Sequence, residues 1–201
     1  MATVDRPGGW DHLHRLAQAL ESVAQVVGRA AGWLALVLVA VILFDVVMRR
    51  WFVIGSTRLQ ELEWHLHGAL FLLALGYAYS RGAHVRIEVL HERFSPRTQA
   101  AIELTGLVIL LVPFLSVVIW FGWDYVVLSL TIDEASPSPT GLPHRWIIKG
   151  VMLIGFLLLG CAALARILEA IIFLFGPPTL AARTDFARPE ATHTMITEER
   201  I

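Results

Sequence analysis

The chain has 201 residues, of which 56% are apolar and only 16% charged, with a formal net charge of −1. So small a soluble domain could not hide that much apolar surface, so the composition excludes an ordinary water-soluble fold; the near-neutral balance, with no sustained basic stripe, excludes nucleic acid as a partner. The single cysteine, Cys161, leaves no internal disulfide and lies in an apolar run, where it reads as a packing residue.

Residues 1–27 read as a cytoplasmic segment in which Leu13, Leu16, Leu20, Val23 and Val27 recur at helical spacing, with His12, Arg15 and Glu21 off the stripe. The pattern suits a helix lying at the membrane surface, and equally a solvated, frayed terminus. Residues 28–175 read as a membrane domain with four apolar stretches, about Ala30 to Met48, Leu59 to Tyr79, Ile102 to Trp123 and Ile147 to Phe175. Crossing ~30 Å of hydrocarbon as helix takes roughly 20 residues, which each stretch supplies. The expected fold is all-α: an integral membrane protein with four transmembrane helices and short interfacial helices. The first stretch is too long, and starts too far into the chain, for a signal peptide, so it is expected to be retained.

The connections carry their own signals. Thr57 with Gln60 reads as a capping box opening the second span after Gly55 ends the first, which makes a tight hairpin. His84 to Phe94 interleaves charge with Val85, Ile87, Leu90 and Phe94 and reads as a short interfacial helix. Ser95-Pro96 then supplies an N-cap and a proline at the first helical position. Pro113 is expected to bend the third span without ending it. Thr131 to Arg145, rich in Ser and Pro, is too interrupted for helix or strand and is expected to be a loop outside the cytoplasm. Gly176-Pro177-Pro178 stops the fourth span, and residues 176–201 form a polar cytoplasmic tail expected to be disordered. Threading the spans in order places eleven arginines on one side and only Arg49, Arg50, Arg58, Arg145 and Lys149 on the other, which puts both termini in the cytoplasm.

Ionisable groups within spans are expensive, so each prompts a functional question. Asp45 with Arg49, Glu61 with His65, and Glu63 with His67 are i, i+4 pairs near outer helix ends, and Arg166 with Glu169 is an i, i+3 pair toward the inner end of the fourth span. All sit nearer an interface than the midplane, which favours helix-end pairs over a proton or ion relay. A haem would want axial histidines facing each other across helices. Yet His84 and His144 lie outside the spans, and His65 and His67, two apart on one helix, point in different directions. A metal site lacks converging ligands, so no cofactor is expected. Gly28 and Gly32, and Gly150, Gly155 and Gly160, permit close helix approach within this chain or to a partner. Six of the tryptophans lie mostly near span ends, as an aromatic belt would, and there is no phosphate-binding loop or nucleophile elbow. No internal repeat suggests a transporter built from two inverted halves.

The stretch Phe44-Asp45-Val46-Val47-Met48-Arg49-Arg50, then Leu59-Gln60-Glu61-Leu62-Glu63-Trp64-His65, then Gly76-Tyr77-Ala78-Tyr79 followed by Gly82-Ala83-His84-Val85-Arg86-Ile87-Glu88, resembles the small membrane subunit, DctQ type, of tripartite ATP-independent periplasmic (TRAP) transporters. The resemblance covers about Gly28 to Phe175. Glu134 to Trp146, with Gly141-Leu142-Pro143, is similar to a branch associated with 2-oxo acids, mannitol or chloroaromatic compounds. The resemblance implies a bacterial inner-membrane secondary transporter, normally sodium-coupled. A periplasmic substrate-binding protein feeds a large membrane subunit, which holds substrate and ions and performs the elevator movement. The small subunit, no enzyme itself, is then a static brace touching its partners and membrane lipid. On this reading Asp45, Arg49, Glu61, Glu63, His65, His84 and Arg86 are candidates for a helix–helix or subunit interface, and Asp133, Glu134, Gly141, Pro143 and Arg145 for a loop that docks the binding protein. The alternatives from other classes are a haem-binding membrane anchor of a redox enzyme and a free-standing channel or carrier.

Overall fold

The computed structural model describes residues 8–82 and 94–187, and all regular structure among them is helical. Seven α-helices follow in chain order: α1 (Gly9–Ala31), α2 (Leu34–Trp51), α3 (Thr57–Ser80), α4 (Pro96–Gly106), α5 (Val112–Thr131), α6 (Trp146–Phe175) and α7 (Pro178–Ala181). A π-helical turn, Leu107–Leu111, joins α4 to α5, and a 3-10 turn spans Asp185–Ala187. Among the described residues, three helical runs are long and apolar enough to cross a membrane: Gly9–Trp51, Pro96–Thr131 and Trp146–Phe175. Of the four expected spans, the second is the exception. α3 has 24 residues, about 36 Å of helix, but its N-terminal part, at the end of the bundle labelled outer after the topology expected from sequence, carries Glu61, Glu63, His65 and His67 and lowers its hydropathy. The interfacial helix expected over His84 to Phe94 lies almost wholly outside the described residues, as do His84 and Arg86.

The bundle is organised around α6. Gly68 of α3 lies opposite Ile148, a Cβ at Gly155 would stand 2.6 Å from the Leu72 carbonyl oxygen, and one at Gly76 would stand 2.7 Å from that of Leu158. Positions rise together on both helices, so α3 and α6 run parallel, backbone against backbone. This close approach is what small residues permit where lipid supplies no hydrophobic drive between helices. α5 packs on another face of α6 through a core of Leu107, Leu115, Leu159, Ala163 and Ile167. α1 lies against the inner part of α3 and α6. The side it buries is not the leucine stripe but the neighbouring row His14, Ala17, Ala24, Gly28 and Ala31, with Gly28 pressed on the Tyr77 side chain. Gly32 and Trp33 both keep right-handed helical angles, so α1 and α2 form one nearly continuous run.

Local chemistry explains where helices begin and end. Ser56, not Thr57, caps α3: its hydroxyl accepts from the Leu59 amide at 3.4 Å, and Thr57 is already helical. α2 ends at Trp51, and the left-handed residue in the turn is Val53 (φ 58°) rather than Gly55, with the Ile54 amide donating back to the Met48 carbonyl at 3.2 Å. Ser95 caps α4 as expected, accepting from the Thr98 amide at 3.3 Å, with Pro96 at the first position. Pro113 does not simply bend its helix. A proline clashes with the carbonyl four residues back, and the preceding turn widens to π geometry, the Val112 amide donating to the Leu107 carbonyl, so the run continues to Thr131. Past Gly176, the described part of the polar tail is ordered: α7 and the 3-10 turn fold back on α6, burying Leu180 and Thr184, with Phe186 stacked on Phe173 at 5.6 Å.

If the α3–α6 seam holds the bundle, Gly155→Ala should destabilise it by about 1–3 kcal/mol through overpacking. Gly150→Ala, where a Cβ meets nothing within 4 Å, should be neutral or stabilising. Thermal unfolding in detergent, followed by circular dichroism, separates the two; equal midpoints would show that the seam has slack.

Candidate functional site

The polar side chains gather in two places, one at each end of the bundle. At the outer end, Glu61 is turned away from its own helix toward the loop between α5 and α6. Its Oε2 accepts from the Leu142 amide at 2.7 Å and its Oε1 accepts from the Ser136 hydroxyl. Gly141 lies so close to Ser136 and Glu61 that a side chain there would collide with both. The Thr140 hydroxyl donates to that of Thr57 at 3.2 Å, a second tie between loop and α3. Sequence spacing pairs Glu61 with the His65 ring; the structure instead places His65 Nδ1 2.6 Å from the Glu61 backbone carbonyl, leaving the carboxylate free for the loop. A carbonyl only accepts, so that ring nitrogen carries the proton.

The loop itself contains neither helix nor strand, as its composition requires, yet it is closely bonded. The Arg145 amide donates to the Glu134 carbonyl at 2.8 Å and the Ser136 amide to the Leu142 carbonyl at 3.0 Å. Its tip turns through Ser138-Pro139-Thr140-Gly141, closed by the Gly141 amide on the Ser138 carbonyl at 3.0 Å, with proline at the position whose φ it pre-sets. Asp133 (φ 45°) and His144 (φ 59°) are both left-handed and face each other across the mouth, Nδ1 to Oδ1 at 3.0 Å. Glu134 is paired with Lys149, whose ammonium lies 3.6 Å from the centre of the Tyr125 ring. The Lys149 ammonium holds the Glu134 carboxyl below the usual carboxylate range, so the pair is fully formed at neutral pH and is lost only as pH falls through that lowered value. Pro143 is exposed and Arg145 half-buried at the start of α6.

Between α2 and α3, Asp45 is only 2% exposed and pairs through Oδ2 with Arg49, while its Oδ1 has no hydrogen-bond partner. With its amide turned to suit its neighbours, Gln60 accepts from Arg49 at 3.1 Å and ties α2 to α3. Glu63 also has a buried oxygen, Oε1, without a partner, and His67 is exposed. Among the described residues, no three His, Cys, Asp or Glu side chains converge as metal ligands.

At the inner end Arg166 organises a cluster that the spacing of its neighbours only half revealed. It binds Glu169, one turn on, at 3.4 Å, but its main partner is Glu103 of α4, gripped through Nε at 2.8 Å and a second nitrogen at 3.3 Å. Asp185 lies 3.7 Å away and the Phe186 ring stacks on the guanidinium at 3.9 Å. Arginine suits this place because its planar fork binds a carboxylate with two nitrogens while its face meets an aromatic ring. Sequence gave no warning of Glu103, 63 residues away, or of Ser136 and Lys149. Two bonded ends and an apolar middle can hold helices in register.

The Glu61 tie generates a direct test. Glu61→Ala should leave helix content unchanged and speed amide exchange at Ser138, Gly141 and Leu142 by on the order of tenfold. Unchanged protection would mean that the loop is held by its internal bonds alone.

A profile for the family described as tripartite ATP-independent periplasmic transporters, DctQ component, matches residues 38–172. Neither the curated proteins nor the solved structures compared gave a match. The matched span takes in α2 from Leu38, all of α3 to α5, and α6 as far as Ile172, so it covers both ends of the bundle just described. The chain is a membrane protein that belongs to the DctQ family of TRAP transporter components.

Proposed function

We propose that this chain is the small permease subunit of a TRAP-type secondary transporter. It would scaffold a large membrane subunit during ion-coupled, normally sodium-coupled, uptake of an organic acid or related solute delivered by a periplasmic binding protein. The observation that carries this reading is the family match over residues 38–172, in a bundle whose middle is apolar. α6 buries Leu153, Gly155, Leu158, Leu159, Ala162 and Ala163 there, with no ionisable group among them. Such a helix supports a partner rather than moving a charged solute.

In this reading α3 also crosses the membrane, as the second of four spans. It has the length, runs parallel to α6 from the same side, and meets it backbone to backbone, so the two share one depth. Its polar outer part then lies at the outer interface beside Glu134 and Lys149. Residues 28–175 are the membrane domain, with 1–27 and 176–201 on the cytoplasmic side of the bacterial inner membrane, as the arginine asymmetry implies. Asp45, Arg49, Glu61, Glu63 and His65 keep the α2–α3 hairpin in the shape that meets the partner, and His84 and Arg86, outside the described residues, are sequence candidates for the same interface. The loop bearing Asp133, Glu134, Gly141, Pro143 and Arg145 is the docking place for the binding protein, a role its fixed shape suits. No observation favours the haem-anchor alternative: among the described residues His65 and His67 share one helix and His144 lies in the loop before α6.

Two measurements test the proposal. Reporter fusions at either end should report both termini cytoplasmic, and an outside signal from either would overturn the topology. Reconstituted alone in proteoliposomes, the chain should take up no solute. With the large subunit, the binding protein and a sodium gradient, uptake should appear; concentrative uptake by this chain alone would overturn the assignment.

A further inference from the structure

α5 shows one face to the bundle along its length, where Leu115, Gly122 and Ser129 are buried at heptad spacing against α6. The opposite face is open and strongly apolar, with Val117, Trp120 (72% exposed), Phe121, Trp123 and Leu128 on it. In the middle of that face stands Asp124, the one carboxylate and the one Asp, Glu, Lys, Arg or His between Val112 and Thr131. It is exposed, and among the described residues no hydrogen bond or ion pair reaches it. Ile119, Trp120, Trp123 and Asp124 line a shallow cavity of about 350 Å³. The cation over the adjacent Tyr125, on the neighbouring helix, is already committed: Lys149 pairs with Glu134.

We infer that this face is where a transmembrane helix of the large membrane subunit packs, bringing an arginine or lysine to Asp124 between Trp120 and Trp123. The inference rests on the small-subunit reading above and adds the contact surface. Asp124 lies seven residues, about 10 Å, inside the end of α5, at the depth of the Lys149–Tyr125 contact. A lone carboxylate on an apolar helix face is costly at the edge of hydrocarbon, so something must answer its charge. Lipid answers it poorly, because acyl chains carry no charge to pair with a carboxylate. A second copy of this chain answers it worse, because the open face of α5 would bring Asp124 against Asp124 with no cation on either helix. A basic side chain on a partner helix satisfies both features: its charge pairs with the carboxylate, and its stem or guanidinium face packs on the indoles.

The test uses the full chain, tagged and co-expressed with the large membrane subunit. The native chain should co-purify that subunit, Asp124→Arg should reduce the amount retained at least tenfold, and Asp124→Asn should reduce it less. An independent reading comes from a photoreactive benzoylphenylalanine replacing Phe121 in an otherwise native chain, which should cross-link to the large subunit. A basic residue mapped on the cross-linked helix and changed to glutamate should restore retention by Asp124→Arg. Should Asp124→Arg fail to fold, the Phe121 cross-link decides by itself. Loss of co-purification by the native chain would defeat the small-subunit reading. Co-purification with full retention by a folded Asp124→Arg, or cross-links at Phe121 only to lipid or to a second copy, would overturn this docking face and leave that reading standing.

Discussion

The approach of α3 to α6 at Gly76 and Gly155 is the contact on which the rest of the structure depends. In lipid, helices gain nothing by hiding apolar surface from water, and association rests on how closely their atoms can meet. Two glycines let the carbonyls of Leu72 and Leu158 take the places where side chains would otherwise stand. That fixes rotation and height together. With α3 held parallel to α6, Glu61 at the outer end comes within bonding reach of Ser136 and Leu142, and Tyr77 at the inner end comes against Gly28 of α1. α6 outruns α3 inward, and its extra turns provide the seat for α1, α4 and the fold-back of α7.

The two ends are then fastened by different chemistry. Where α3 begins, a single carboxylate accepts from a loop amide and a loop hydroxyl, so it orders a segment that composition alone would leave loose. Inside, Arg166 is half-enclosed by Glu103, Glu169 and Phe186. Such a buried ionic cluster adds little net stability over a well-packed apolar one, but removing one member leaves an unanswered charge and is strongly destabilising. Clusters of this kind specify an arrangement more than they strengthen it. For a chain read as the fixed part of an elevator transporter, one unambiguous arrangement is the useful property.

How much of this could be read from sequence follows from the range of each interaction. The helix start at Ser95-Pro96 was legible because cap and proline are adjacent and local, and the resemblance carried by Gly28 to Phe175 is matched by the family assignment over residues 38–172. Ser56 was missed as a cap because Thr57 with Gln60 offered an equally good local pattern one residue on; the difference lies in Thr140, which engages Thr57 from across the chain. A proline announces a disturbed helix but not whether a bend or a π turn absorbs it, since that depends on neighbours. Glu61 was paired with His65, whereas its carboxylate bonds Ser136 and Leu142, because i, i+4 spacing shows only the partners on its own helix. The same blindness hid Glu103 from Arg166. Asp124 was passed over because it stands just beyond the apolar run, where a carboxylate looks ordinary until the exposed face around it is seen.

The central claim is that this chain is a rigid brace. Spin labels at Arg81, at the end of α3, and at Phe175, at the end of α6, both exposed, would report the relative position of the two helices by pulsed dipolar spectroscopy in the assembled transporter. With Cys161 replaced, the distance distribution should stay the same in the resting complex, with the ion gradient imposed, and during uptake. A shift of several ångströms or a second population appearing with substrate would show α3 and α6 moving against each other, and would contradict the account.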